Sequence, residues 1–144
     1  MEFQEIGFAN DTYLQNDNLV NRLINEWDKY GYLIVAFDFD DTVYSENGKH
    51  EQIIELLKAG KEIGCILIVF TCRDENEYDF VDSYLKSVGI EYDYINENYP
   101  EVKLDTSRKI FYNIFLDDRC GLSAAYETLV RVLYIKNKSN QTNN

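Results

Sequence analysis

Acidic residues follow two of the most apolar runs in the sequence, and their spacing could bind a metal ion. These residues are Asp38 and Asp40 after the run YLIVAF, and Asp117 and Asp118 after the run IFYNIFL. Residues two apart in an extended chain point the same way, so Asp38 and Asp40 share a side. Adjacent carboxylates repel each other unless a cation or a shared proton intervenes, and Mg²⁺ prefers such oxygen ligands. The sequence therefore predicts a divalent-cation site, provided that the two runs are neighbouring strands.

A third apolar run, CILIVF, ends in Thr71, Cys72 and Arg73. The Thr71 hydroxyl could donate to an anionic oxygen, and Arg73 could hold a phosphate group. Taken alone, Thr71 is better explained as a helix cap, and Arg73 as an ion-pair partner of Glu75 or Glu77. These two residues become informative only if their strand lies beside the acidic residues.

The elements that must position these residues follow from the hydrophobic pattern. Continuous apolar runs typical of buried parallel strands alternate with stretches of helical spacing. We predict a helix from the caps Asn16–Asn18 to Gly31, further helices over 50–62, 75–87 and 121–129, and strands over 32–37, 65–70, 90–95, 110–116 and 131–135, with a loop over 96–108.

This alternation predicts an α/β fold, a Rossmann-like three-layer sandwich with a mostly parallel sheet of about five strands and helices on both faces. The predicted domain covers 17–136, between an N-terminal arm (1–16) and a polar, frayed tail (137–144). In such sheets a ligand binds at the carboxyl ends of the strands, which is where the acidic residues lie.

The composition narrows the function classes. A net charge of −12 disfavours binding to nucleic acid or to an anionic membrane surface, although it does not exclude nucleic acid. Cys65, Cys72 and Cys120 have no metal-binding spacing and are expected to be reduced thiols. Without a signal peptide or a membrane-length apolar run, we expect a cytoplasmic protein, and no obligate protein partner is evident.

In combination, these segments resemble the haloacid dehalogenase (HAD) superfamily of phosphohydrolases. FDFDDTV at 37–43 matches the family's D-x-D-x-T motif, ILIVFT at 66–71 its second motif, Lys109 its lysine, and IFLDD at 114–118 its acidic pair. The first motif is fairly specific, the second and third are weak, and their common order makes the set strong. FDFDDT, FTCR, INEN and SRK…LDDR also look like small capless members of the kind found in phages and bacteria.

The resemblance implies a mechanism and a cofactor. Asp38 would attack phosphorus to form an aspartyl-phosphate, and Asp40 would protonate the leaving oxygen and then activate water. Mg²⁺ would be held by the Asp38 carboxylate, the Asp40 carbonyl and one carboxylate of the acidic pair. Asp118 is favoured over Asp117 as that direct ligand. Thr71 would donate to a phosphoryl oxygen and Lys109 would neutralise developing charge, with Lys103 as the fallback.

Four further residues, Thr42, Cys72, Arg73 and Arg119, adjoin the motif residues and are the candidates for substrate binding. The 28 residues of 43–70 leave no room for a cap domain, and neither does the segment before Arg108. The expected site is therefore open. We expect a small phosphorylated substrate, such as a nucleotide, and LDDR also resembles polynucleotide 3′-phosphatases.

Other classes of protein share parts of this pattern. A phosphorelay receiver domain is a small parallel α/β domain with an acidic pair after its first strand. It would need an aspartate after the third strand and a lysine after the last, where this chain has INENYPE and IKNKSN. A non-catalytic phosphate-binding protein is the third reading, against which the full set of motif residues argues.

Overall fold

The computed structural model describes residues 12–48, 50–104 and 108–144. Helices and strands alternate through most of these ranges. The helices are α1 (Asn16–Tyr30), α2 (Glu51–Glu62), α3 (Tyr78–Val88) and α4 (Leu122–Thr142), and the strands are β1 (Leu33–Phe37), β2 (Cys65–Val69), β3 (Tyr94–Ile95) and β4 (Ile114–Leu116). All the predicted helices are present, whereas β3 and β4 are shorter than predicted.

The four strands form one parallel sheet in the order β3-β2-β1-β4. Strand β1 lies inside the sheet, where Val35 is level with Leu67 of β2 and with Ile114 of β4. All five of its residues are buried, which explains the unbroken apolar run. The α/β class and the parallel sheet are confirmed, with four strands in the described residues instead of about five.

The helices pack on one face of the sheet, which differs from the expected arrangement on both faces. Buried residues of all four helices join a single cluster with Leu33, Val35 and Phe37 of β1. Ile34 and Ala36 on the opposite face belong to a second cluster, which contains no residue of these helices. That cluster takes its outer residues from the connection between β3 and β4, among them Tyr99, Val102, Ile110 and Phe111. The third layer of the sandwich is thus a loop.

The predicted strand over 131–135 is wrong, because these residues belong to α4. Leu129, Val132 and Leu133 are buried at helical spacing in the main cluster. Arg131 also forms an ion pair with Asp17 of α1 at 2.7 Å. A short apolar run fits a strand or a buried helix equally well, and packing against α1 decides for the helix.

Both predicted ends of the domain also differ from the structure. The polar residues assigned to a frayed tail (137–144) continue α4 as far as Thr142. At the other end, Thr12–Leu14 form a 3₁₀ turn and α1 begins at Asn16, while residues 1–11 of the predicted arm lie outside the described residues. No helix in the described ranges combines the length and the apolar character needed to cross a membrane.

Candidate functional site

The predicted site residues follow the carboxyl ends of neighbouring strands. Asp38 comes directly after β1, and its backbone N–H donates to the Leu116 carbonyl of β4 at 2.9 Å. Asp117 and Asp118 follow β4, on one side of β1. Thr71 follows β2, on the other side. Because the strands are parallel, their carboxyl ends lie at the same end of the sheet. Residues about 80 positions apart in the chain therefore come together there.

Three carboxylates come together at this edge, from Asp38, Asp117 and Asp118. Each offers one oxygen atom, and these atoms all lie within 4.8 Å of one another. Two oxygens that bind one Mg²⁺ ion at about 2.1 Å can be about 4.2 Å apart, so a small side-chain movement would close the set on a cation. The donor set is all oxygen and therefore fits a hard divalent cation, whereas the Asp40 carboxylate lies outside it and faces Arg73.

The electrostatics of Asp38 match this grouping. The pKa of Asp38 is raised from 3.8 to about 7, chiefly by burial. The charges of Asp117 and Asp118 and a hydrogen bond with Asp118 contribute to this rise, and the Phe39 N–H opposes it. Within the described ranges, no lysine or arginine forms an ion pair with any of the three acids. The cluster thus carries negative charge that a bound cation would neutralise.

Thr42 supports the cluster from within. It is fully buried, its hydroxyl oxygen accepts from the Asp118 N–H at 3.1 Å, and its O–H lies 3.4 Å from an Asp118 carboxylate oxygen. The predicted role in substrate binding does not suit a side chain with no exposed surface. Thr42 instead joins the loop after β1 to the loop after β4 and orients Asp118.

Asp40 is held by Arg73. The guanidinium donates to both Asp40 carboxylate oxygens, from Nη2 at 2.8 Å and from Nε at 3.0 Å, and donates to Glu77 from Nη1 at 3.1 Å. The pairing with Asp40 raises the pKa of Arg73. This two-point contact fixes the plane of the Asp40 carboxylate, which a single hydrogen bond would not do.

Aromatic rings surround the Arg73 guanidinium. Its central carbon lies 5.1, 5.3 and 5.7 Å from the ring centres of Phe80, Phe39 and Tyr44. Such cation–π contacts contribute about 0.5–1 kcal/mol each at exposed sites. Arg73 is therefore held both by the carboxylates of Asp40 and Glu77 and by its contacts with three aromatic rings.

A small polar cavity of about 480 Å³ opens beside Asp40. Its other lining residues are Asp41, Tyr44, Ser45, Glu46, Asn47 and Arg73. The loop that forms it turns at Asp41, which has a φ of 58° and donates its N–H to the Tyr44 carbonyl at 2.7 Å. Aspartate tolerates this left-handed conformation better than most residues.

Thr71 lies two residues before Arg73, and only 7% of its surface is exposed. Its hydroxyl oxygen accepts from the Arg73 N–H at 3.1 Å, which leaves the hydroxyl hydrogen able to donate. The backbone of Thr71 is bound by the Asn96 side chain, a contact that the sequence analysis missed. The signal for it was a polar residue directly after the apolar end of β3, in the segment INEN.

Neither Lys109 nor Lys103 forms an ion pair with an acid of the described residues. β4 begins at Ile114 and not at 110, so Lys109 lies on the loop before it. The Lys109 ammonium is 5.7 Å from the ring centre of Tyr112. Lys103 lines a separate cavity of about 900 Å³ with Tyr32 and Asn113, next to the amino ends of β1 and β4. The predicted motif lysine therefore has no described contact with Asp38.

The other two predicted substrate-binding residues are exposed. Cys72 is a free thiol between Thr71 and Arg73, and Arg119 follows the acidic pair, where its backbone N–H donates to Asp117 at 2.8 Å. Cys65, which is buried, and Cys120, which is exposed, are also free thiols.

Comparisons with known proteins bear on the fold. No protein-family model and no curated protein matches the chain. A solved structure of a conserved protein encoded by a Bacteroides thetaiotaomicron locus is similar, with 26% sequence identity and a TM-score of 0.57 over 69% of this chain and 90% of that one. The chain is therefore similar to a conserved bacterial protein and shares its parallel α/β fold.

Proposed function

We propose that the protein is a Mg²⁺-dependent phosphatase of the HAD type, which hydrolyses a phosphate monoester through an aspartyl-phosphate intermediate. The observation that carries the proposal is the convergence of the Asp38, Asp117 and Asp118 carboxylates to within 4.8 Å at the carboxyl edge of the sheet. A fourth acid, Asp40, lies two residues after Asp38 and is oriented by Arg73. A metal-ligating acid next to a proton-transferring acid is the pair that this chemistry needs.

Asp38 and Asp118 would hold the cation, together with the main-chain carbonyl of Asp40. Asp118 is oriented for this by the two contacts with Thr42, while Asp117 accepts the Arg119 N–H and would bind a water of the cation. The chemical contribution of a bound cation would be to offset the charge that develops on the transferred phosphoryl group.

Asp38 would act as the nucleophile. One of its carboxylate oxygens attacks phosphorus, the bond from phosphorus to the ester oxygen breaks, and the electron pair leaves with that oxygen. Asp40 would enter the cycle in its protonated form and give that proton to the leaving oxygen. It would then regain a proton from the water that cleaves the aspartyl-phosphate. Inorganic phosphate then leaves, and Asp38 and Asp40 return to their starting states.

The cavity beside Asp40 would receive the leaving group, because the proton donor must lie next to the departing oxygen. Thr71 would donate its free hydroxyl hydrogen to a phosphoryl oxygen. Arg73 acts on Asp40 and not as a mobile phosphate ligand, since its guanidinium already contacts Asp40, Glu77 and three rings. The role of Lys109 stays a prediction from the resemblance.

Two rival classes fit the site less well. A receiver domain would need an aspartate after β3, and this chain has Asn96 there, with its side chain bound to Thr71 and Tyr78. A non-catalytic phosphate-binding protein would have no use for the oriented Asp40–Arg73 pair. Among phosphatases, the net charge of −12 favours a small ester or a nucleotide over a 3′-phosphorylated polynucleotide.

The test is a phosphate-release screen with purified protein. We would assay nucleotides, sugar phosphates, p-nitrophenyl phosphate and a 3′-phosphorylated oligonucleotide, each with Mg²⁺ and with a chelator. Mg²⁺-dependent release from at least one small ester is the expected result. Release that is unaffected by chelation would contradict the metal assignment, and no release from any substrate would contradict the proposed activity.

A further inference from the structure

Asn96 follows β3, and its side chain contacts Thr71 at the carboxyl end of the sheet. Its backbone N–H donates to the Val69 carbonyl at 2.8 Å, which completes the pairing of β3 with β2. Asn96 then adopts a φ of 52°, a left-handed conformation that asparagine tolerates better than most residues. In this conformation the side chain reaches Thr71, which follows the neighbouring strand β2.

All the hydrogen-bonding groups of the Asn96 amide are engaged. Its Oδ1 accepts from the Thr71 N–H at 2.8 Å, and its Nδ2 donates to the Thr71 carbonyl at 2.8 Å and to the Tyr78 hydroxyl at 2.9 Å. The amide therefore pairs with both backbone groups of Thr71, as a neighbouring strand would. It also ties this backbone to the first residue of α3.

β2 ends at Val69, and the contact with Asn96 fixes the backbone of Thr71, two residues beyond that end. Without it, the backbone N–H and carbonyl of a nearly buried residue would need other partners. Only an amide offers a donor and an acceptor at one side-chain terminus in this arrangement, and a carboxylate would place an oxygen against the Thr71 carbonyl.

We propose that Asn96 is a positioning residue for phosphate binding, acting through Thr71. By holding the Thr71 backbone, it fixes where the free hydroxyl hydrogen points, at the carboxyl edge shared with Asp38. The inference rests on the proposed function for the role of that hydroxyl. It makes a segment far from the motif residues a determinant of affinity for the phosphoryl group.

The alternative is that Asn96 only stabilises the fold, and the chain offers a matched control for it. Asn113 makes the same kind of contact at the amino end of the sheet, where its Oδ1 accepts from the Ile34 N–H at 2.7 Å and its Nδ2 donates to Glu26 at 2.6 Å. Asn113→Ala should cost stability as Asn96→Gly does, without reaching the site. Glycine is chosen at 96 because it accepts the left-handed backbone.

The experiment measures kcat and KM for p-nitrophenyl phosphate, and the inhibition constant of inorganic phosphate, all with Mg²⁺. In Asn96→Gly, we expect both the KM and the phosphate constant to rise about tenfold, as for the loss of a hydrogen bond to a charged group. Asn113→Ala should leave both within about twofold while lowering the melting temperature. Equal changes in the two variants would overturn the inference.

A double-mutant cycle separates positioning from general loosening of the fold. Thr71→Val removes the hydroxyl but keeps the shape of the side chain. If Asn96 acts through that hydroxyl, Asn96→Gly should add little further loss of phosphate affinity in the Thr71→Val background. Additive losses would show that Asn96 acts by another route and would contradict the inference.

Binding of inorganic phosphate, read from the shift in melting temperature with Mg²⁺ present, tests the inference independently of turnover. Should the wild type hydrolyse no substrate but bind phosphate, with weaker binding in Asn96→Gly or in Asn96→Asp, the proposed function fails and the positioning role stands. Absence of phosphate binding by the wild type would overturn the positioning role as well.

Discussion

The two ends of the sheet differ in how their polar groups are satisfied. At the amino end, Asn113 exchanges hydrogen bonds with the Ile34 backbone and donates to Glu26. At the carboxyl end, Asp38, Asp117 and Asp118 share a small space in which no described cation pairs with them. The polar groups described at the amino end are hydrogen-bonded to one another, whereas the three carboxylates at the carboxyl end have no cationic partner among the described residues.

The larger cavity lies at the amino end. It measures about 900 Å³ and is lined partly by Tyr32 and Asn113, whereas the cavity beside Asp40 measures about 480 Å³. Cavity size alone would therefore point away from the acidic residues. The grouped carboxylates are the better guide here, because their mutual repulsion costs free energy that a bound cation or a proton offsets.

Asp38→Asn should have the largest effect, because the amide oxygen is a poor nucleophile. We expect kcat to fall at least about ten-thousand-fold, a size comparable with the removal of other covalent nucleophiles. Steady-state hydrolysis of p-nitrophenyl phosphate with Mg²⁺ measures this. Substantial turnover by the pure variant would favour attack by water over an aspartyl-phosphate.

Asp40→Asn should depend on the leaving group. Loss of the acid and base should slow hydrolysis of an alkyl phosphate by about 10²–10⁴-fold. p-Nitrophenolate needs little protonation, so the first step should survive and phosphorylated enzyme should accumulate. Rapid-quench detection of the phosphorylated protein checks this, and equal losses on both substrates without accumulation would contradict the assignment.

Mg²⁺ should stabilise the carboxyl end specifically. At 100 times its dissociation constant, the ion should add about 2.7 kcal/mol to the free energy of unfolding, which is about 5–10 °C in melting temperature for a chain of this size. Asp118→Ala should remove most of that rise. Asn113→Ala, at the opposite end, should lower the melting temperature and keep the rise.

The smallest expected effect is a pH dependence of stability in the presence of a chelator. The pKa of Asp38 is about 7 in the folded protein against 3.8 ordinarily, so the folded state holds a proton that the unfolded state releases. Stability should therefore fall as the pH rises from about 4 to about 7.

Asp38→Asn, which does not titrate, isolates this effect. The melting temperature of this variant, relative to that of the wild type, should rise from about pH 4 to about pH 7. Above that range the difference should be constant. Added Mg²⁺ should cancel this rise, because the cation replaces the proton. A constant difference between the two proteins from pH 4 to pH 8 would contradict the raised pKa.

The sequence by itself determined the strands that carry the site and the acids that follow them. The runs ending before Asp38 and Thr71 are apolar throughout because both faces of an inner parallel strand are buried. Asp117 and Asp118 follow another apolar run, and a parallel sheet places the end of that run at the same end of the sheet as Asp38. These features depend on the order of apolar and acidic residues within short segments, which can be read directly from the sequence.

Tertiary structure decided which elements pack together. The run at 131–135 became part of α4 because α1 and the sheet bury one side of it, and the loop between β3 and β4 covers the face where helices were expected. A short apolar run has no unique period, and the face that an element covers depends on the connections around it.

Tertiary structure also decided the pairings within the site. Arg73 fits the sequence as a partner of Glu75 or Glu77, yet it also holds Asp40, which lies 33 residues away. Asn96 reaches Thr71 because β3 lies beside β2, and Lys109 lies on a loop because β4 begins only at Ile114. The sequence pattern predicts which strand a residue follows. Only the packed sheet brings residues from separate segments within hydrogen-bond range.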